Sequence, residues 1–256
     1  MTYSWKTLGF LLGLALGQTE FLFSGAFRVT PVQVRLSSSS ASTLLTLTNE
    51  GIESSRFQIS VFSWAQDVDG KMQLQPTEDI VFFPSLLTLA AGEERKVRLG
   101  TTVPFESVEK TYRVFFEELP PLEKDSTPAT QIRVLTRMGV PIFLRPEKSQ
   151  PKAAIHMTSM KDRRLMFHVV NEGNVHFRTA SVRVIGMDAT GATVFDQQRE
   201  GWYVLAGTQR AYDLELPEDR CAQIERLVVR AETDLQEIPV VETRIAMPAG
   251  GCRSSS

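Results

Sequence analysis

The stretch from Thr130 to Pro146 constrains the chain most. Ile132, Val134, Thr136, Met138 and Val140 fall there on every second position. Side chains alternate across a strand, so these five share one face, while Gln131, Arg133, Leu135 and Arg137 share the other. The pattern predicts a long strand with a mostly apolar face and a basic one. Pro141 lacks a ladder donor, so the last part is not expected to be a fully paired central strand. Arg145-Pro146 closes the segment as a domain joint. We read the strand as an active surface whose alternating residues are offered to another protein.

The rest of the chain repeats this period. Phe27 to Leu36 reads as a first strand whose apolar positions change parity at Pro31, as in a strand that kinks and changes sheet or face. Further strands are expected at Leu44–Thr48, Arg56–Trp64, around Ile80–Leu89, at Arg95–Leu99 and at Tyr112–Glu118. Asp69-Gly70 marks a hairpin. Asp67 and Asp69 faintly resemble a calcium loop that lacks its remaining ligands. Seven strands with regularly spaced turns fit an immunoglobulin-like sandwich. The second half echoes the first. Asn171-Glu172-Gly173 repeats Asn49-Glu50-Gly51, and Leu205-Ala206-Gly207 repeats Ala90-Ala91-Gly92. The near-constant offset favours two domains of one kind. Further strands are expected at Leu165–Val170, Ala180–Met187, Ala192–Asp196, Ala211–Leu216, Arg226–Ala231 and Val240–Ile245.

At 256 residues the chain suits two domains. We set them at 27–146 and 147–256, after a secretory leader over 1–26. Lys6, the apolar run Leu8–Leu16 and Ser24-Gly25-Ala26 carry the leader signal. The alternative is an uncleaved anchor, but Gln18-Thr19-Glu20 leaves the apolar run too short for a spanning helix. A net charge of −2 gives no drive toward nucleic acid or anionic membrane. Cys221 and Cys252 are the two cysteines, and an exported pair is expected to be bridged rather than free. His156, His168 and His176 show no metal spacing, and no nucleophile elbow or phosphate loop is present. Neither catalysis nor a metal or other cofactor is expected.

Several motifs occur together in the order of one family. They are Thr46-Leu47-Thr48-Asn49, Ala91-Gly92-Glu93 with Val97-Arg98-Leu99, Tyr112-Arg113 running to Glu118-Leu119-Pro120-Pro121, and Arg145-Pro146. The chain resembles the PapD-like periplasmic chaperones of chaperone–usher pili. The short loop before the Thr130–Pro146 strand resembles the short-loop or non-classical branches, and Trp64 on the third strand resembles the branch serving thin fimbriae. The resemblance implies an all-β protein of two immunoglobulin-like β-sandwich domains in an L-shape, located in the periplasm. It implies that the chain lends a strand to a pilus subunit and delivers it to an outer-membrane usher, with no stable membrane insertion. Strand donation by pilus chaperones is an established example of strand addition.

The same resemblance assigns residues. Ile132, Val134, Thr136, Met138 and Val140 become the donated face. The family holds the subunit's terminal carboxylate with a basic pair, but Gln33 and Gly139 stand at those two positions. Arg35 and Arg137, two residues away on each strand, are the substitutes, with Arg98 and Arg113 in reserve. An interdomain ion pair is assigned to Glu109 and Arg145. The competing reading is a secreted two-domain structural or adhesive module that remains in the fibre.

Overall fold

The structure is a computed structural model and describes residues 27–121 and 134–252. The leader and Ile132 lie outside the described residues. The first half folds into two facing sheets. Its strands are β1 (Phe27–Thr30), β2 (Val34–Leu36), β3 (Ser42–Asn49), β4 (Ser55–Gln66), β5 (Met72–Pro76), β6 (Ile80–Phe83), β7 (Leu86–Leu89), β8 (Glu94–Thr101), β9 (Lys110–Leu119) and β10 (Arg137–Leu144). One sheet runs β1-β3-β8-β6; the other runs β2-β10-β9-β4-β5, with β7 also on β4. The chain changes sheet between β1 and β2, across Pro31, as the parity change implied. It changes again between β6 and β7, across Pro84.

The second half holds β11 (Ala153–Lys161), β12 (Arg164–Asn171), β13 (Phe177–Met187), β14 (Thr193–Glu200), β15 (Tyr203–Val204), β16 (Gln209–Glu215), β17 (Arg226–Thr233) and β18 (Val240–Ala246). A short helix, α1 (Glu218–Cys221), precedes β17. The sheets run β11-β12-β16 and β14-β13-β17-β18, with β15 on β13. Each half packs its own apolar core, around Phe57, Phe116 and Ile142 in the first and Phe167, Phe177 and Val229 in the second.

The repeated tripeptides turn out to be one device used twice. Asn49 and Asn171 are both buried at the end of a strand. The Asn49 amide donates to the carbonyls of Glu53, Leu89 and Ala90, and its Oδ1 accepts from the Gly51 amide. Asn171 donates to Val175 and Val204 and accepts from Gly173. Each satisfies backbone groups at a corner that no ladder reaches, which a buried turn requires. Gly92 and Gly207 then take φ of 73° and 67°, a left-handed turn that glycine enters without steric cost. Asp67 serves the β4–β5 hairpin by accepting from the amides of Asp69 and Lys71. Those bonds hold its carboxyl below the usual carboxylate range. Cys221, on α1, is bonded to Cys252 in the tail beyond β18.

Candidate functional site: the open edge of β10 and the joint

The described strand β10 begins at Arg137, so Val134 to Thr136 precede it without strand structure. β10 pairs with β9 along its whole length, but with β2 only from Ile142 to Leu144. Among the described residues, no strand pairs with the other side of Arg137–Pro141. The Glu118 amide donates to the Thr136 carbonyl at 3.0 Å, which sets the phase of the ladder. Backbone groups of Thr136, Met138 and Val140 therefore face β9, and those of Arg137 and Gly139 face the open side. Pro141 falls on the open side too. Its missing N–H costs β9 nothing, and the expectation that the last part is not a fully paired central strand is corrected: Ile142–Leu144 lie between β9 and β2.

Side chains divide by the same parity. Val140, Ile142 and Leu144 are buried in the core of the first sandwich, and Met138 packs against it half-buried. Val134 is 59% exposed. Assigning Val140 to a donated face is thus corrected: from Val140 onward the chain's own core occupies that face. The odd-numbered face is the outside of the sheet. Arg137 lies there with its guanidinium 4.1 Å from the Phe115 ring centre and its Nε 3.3 Å from Glu117.

The four arginines are not brought together. Register pairs Arg35 with Phe143, six residues beyond Arg137. At about 3.3 Å per residue the two lie roughly 20 Å apart along the strand, too far to share one carboxylate. Arg98 sits on β8 in the opposite sheet, between Leu44 and Phe83. Arg113 is 8% exposed, with its guanidinium 4.3 Å above Trp64 and 5.9 Å from Trp202, and burial lowers its pKa. As an anchor for an incoming carboxylate it is excluded by its covering.

At the far end of the open edge the two sandwiches meet. Trp64, Phe143 and Leu205 form a shared buried cluster, with Leu74 and Tyr203 packed on it. Gln66 reaches across to donate to the Tyr203 carbonyl and accept from the Leu205 amide and the Thr208 hydroxyl. Glu109 has a fully buried side chain, and it does not pair with Arg145. Its Oε1 accepts from His176 twice, from the backbone amide at 2.9 Å and from Nδ1–H at 2.6 Å. The His176 ring stacks on Phe143 at 3.5 Å. Arg145 instead donates to the Ser149 hydroxyl. The partner assigned to Glu109 is thus corrected: Glu109 is hydrogen-bonded to His176, not paired with Arg145. Nothing local in the sequence flagged His176, which becomes a partner only when the sandwiches dock. A cavity of about 320 Å³ opens beside this contact, lined by Arg35, Arg145, Glu109, His176, Asp234 and Glu237 among others. Neither Arg35 nor Arg145 is ion-paired among the described residues.

Residues 26–150 match the PapD N-terminal domain family, described as pili and flagellar-assembly chaperones. This first sandwich belongs to the PapD-like chaperone family. Solved structures show the fold over both sandwiches. A chaperone–tip adhesion subunit pre-assembly complex from the archaic chaperone–usher Csu pili of Acinetobacter baumannii matches at TM-score 0.61 and 16% identity, covering 85% of this chain and 98% of that one. The E. coli chaperone DraB matches at TM-score 0.56 and 17% identity, covering 86% and 96%. The Pseudomonas aeruginosa CupB2 chaperone matches at TM-score 0.54 and 16% identity, covering 86% and 99%. No curated protein sequence gives a significant match. No helix among the described residues is long and apolar enough to cross a membrane.

Proposed function

We propose that this PapD-like chaperone acts in the periplasm, after removal of residues 1–26, through domains spanning 27–146 and 147–256. It captures a pilus subunit by lending it the first part of β10 and passes the subunit to an outer-membrane usher. The observation that carries this reading is the half-paired strand. Arg137 and Gly139 turn unpaired backbone groups outward, while Val134 and Met138 continue an apolar face beyond the point where the chain's own core ends. An unpaired edge is a template for another strand. A subunit sandwich that lacks a strand exposes the complementary edge and an apolar groove. Pairing satisfies the backbone of both, and Val134, Thr136 and Met138 enter the groove, with Ile132 on the same parity.

Arg35 and Arg145 are proposed to receive the subunit's terminal carboxylate in the cavity at the joint, since guanidinium groups bind carboxylates bidentately. Arg137, at the other end of the edge, faces the body of the subunit. The test is co-expression with a cognate pilus subunit. A one-to-one soluble complex that Val134→Asp abolishes, together with absence of the chain from purified fibres, is expected. Incorporation into the fibre would instead establish the structural-module reading.

A further inference from the structure

We propose that Phe115, Gly139 and Arg137 form a clasp that holds the first part of β10 extended against β9 before any partner arrives. This rests on the reading of β10 as the donated edge. That edge has a mechanical difficulty. Its start is hydrogen-bonded on one side only, its inner face at Met138 is only half-buried, and Val134–Thr136 beyond it have no strand structure. It also contains a glycine, which weakens a strand because nothing packs at that position. Strand ends of this kind open locally at little cost.

The outer face supplies what the core does not. A Cβ placed on Gly139 would lie 2.7 Å from Cε1 of Phe115, so the ring lies directly across the bare glycine backbone. Phe115 belongs to β9, opposite Gly139 in register, and is only 7% exposed. The Arg137 guanidinium covers the ring from β10 at 4.1 Å, and its Nε is held by Glu117 at 3.3 Å. Phe62 on β4 meets the ring edge-on at 5.8 Å. Ring, glycine and guanidinium thus interlock across the two strands, as an aromatic can restore packing over a strand glycine. All of these contacts lie on the outer face, so the open backbone edge stays free to pair. A strand already extended costs a partner less to bind than one it must first order.

The glycine makes the inference testable against a plain stability role. Alanine suits strands better than glycine, so without the clasp Gly139→Ala should be neutral or stabilising. With the clasp, its methyl displaces the ring and loosens the strand. Hydrogen exchange on the free chain is the first readout. In both Phe115→Ala and Gly139→Ala, the Met138 and Val140 amides should lose on the order of tenfold protection while β3 and β8 stay protected. The second readout is stopped-flow binding of a labelled pilus-subunit domain, a sandwich that lacks one strand and keeps its own C-terminus. The association rate constant should fall several-fold with dissociation unchanged, because the binding-competent fraction is what shrinks. Unchanged exchange in either variant overturns the clasp, as does faster exchange with unchanged association. A wild-type chain that fails to bind this probe overturns the donated-edge reading, and the capture step proposed here with it, whatever the exchange shows.

Discussion

The open edges of β10 and β14 are built from opposite materials. Among the described residues β14 pairs only with β13, and its run Asp196-Gln197-Gln198-Arg199-Glu200 is polar throughout and mostly exposed, with Asp196 held by Arg183. Charges along an edge repel a second strand and keep it in water. β10 offers Arg137-Met138-Gly139-Val140-Pro141 in its half-paired part, one charge followed by four residues without any, beside exposed Val134. The two sandwiches share the asparagine corner and the left-handed glycine, so their common fold did not dictate this difference. One edge is protected against association and the other is left available for it.

The sharpest break of the comparison lies within β10. Val140→Asp should destabilise the first sandwich by about 3–5 kcal/mol, since it places an unpaired carboxylate in the core. Val134→Asp should leave the thermal melt unchanged and cost only the subunit. Melting curves beside subunit co-purification separate the two, and a normal melt for Val140→Asp would refute the division of the face described above.

Removing the Cys221–Cys252 bridge by Cys221→Ser opens a loop with a sequence separation of 31. In the chain-entropy model this costs about 3 kcal/mol, all of it expected in the second sandwich. Denaturant titration followed by amide exchange in β3 and in β17 distinguishes a local loss from a global one.

The shared corners should behave alike. Asn49→Ala and Asn171→Ala each strand buried carbonyls and should each cost about 2 kcal/mol, in the first and second sandwich respectively. Calorimetry of both variants checks this, and a neutral result for one would show that the corners are not equivalent.

At the joint, His176→Ala should cost about 1.5 kcal/mol by removing the ring donor from Glu109. It should also change the small-angle scattering profile, whereas Arg145→Ala should leave the profile as it is. The reverse pattern would restore the pairing first expected for Glu109.

The smallest effect is on acid stability. Hydrogen bonds from Arg183 and Arg164 hold the Asp196 and Asp213 carboxyls below the usual carboxylate range. Groups depressed in the folded state contribute stability above their unfolded pKa and lose it as pH falls through the folded value. Below about pH 4 the second sandwich should therefore melt slightly earlier, and Asp213→Asn should blunt that shift. The effect is slight because both carboxyls are close to solvent.

Much of this was legible in residues alone. Period-two alternation located most strands, and Asn-x-Gly followed by a turn glycine marked the same corner twice. The parity change at Pro31 announced a change of sheet. The site was legible only as a candidate strand. Alternation shows that Val134 and Val140 share a face, but not where one core ends and a second could begin. Periodicity is local, whereas burial depends on what the opposite sheet supplies.

Residue order alone establishes an all-β chain with two similar halves, an alternating strand before the joint and two cysteines in the last third. Strand docking settles which part of that strand remains unpaired, because β2 begins only at Val34, opposite Ile142, and leaves Arg137–Pro141 without a second neighbour. It also decided that Glu109 meets His176, that Arg113 is covered by tryptophans, and that Phe115 lies over Gly139. Each of these contacts joins separate strands. Distances between strands are set by register and docking, which no pattern along a single strand encodes.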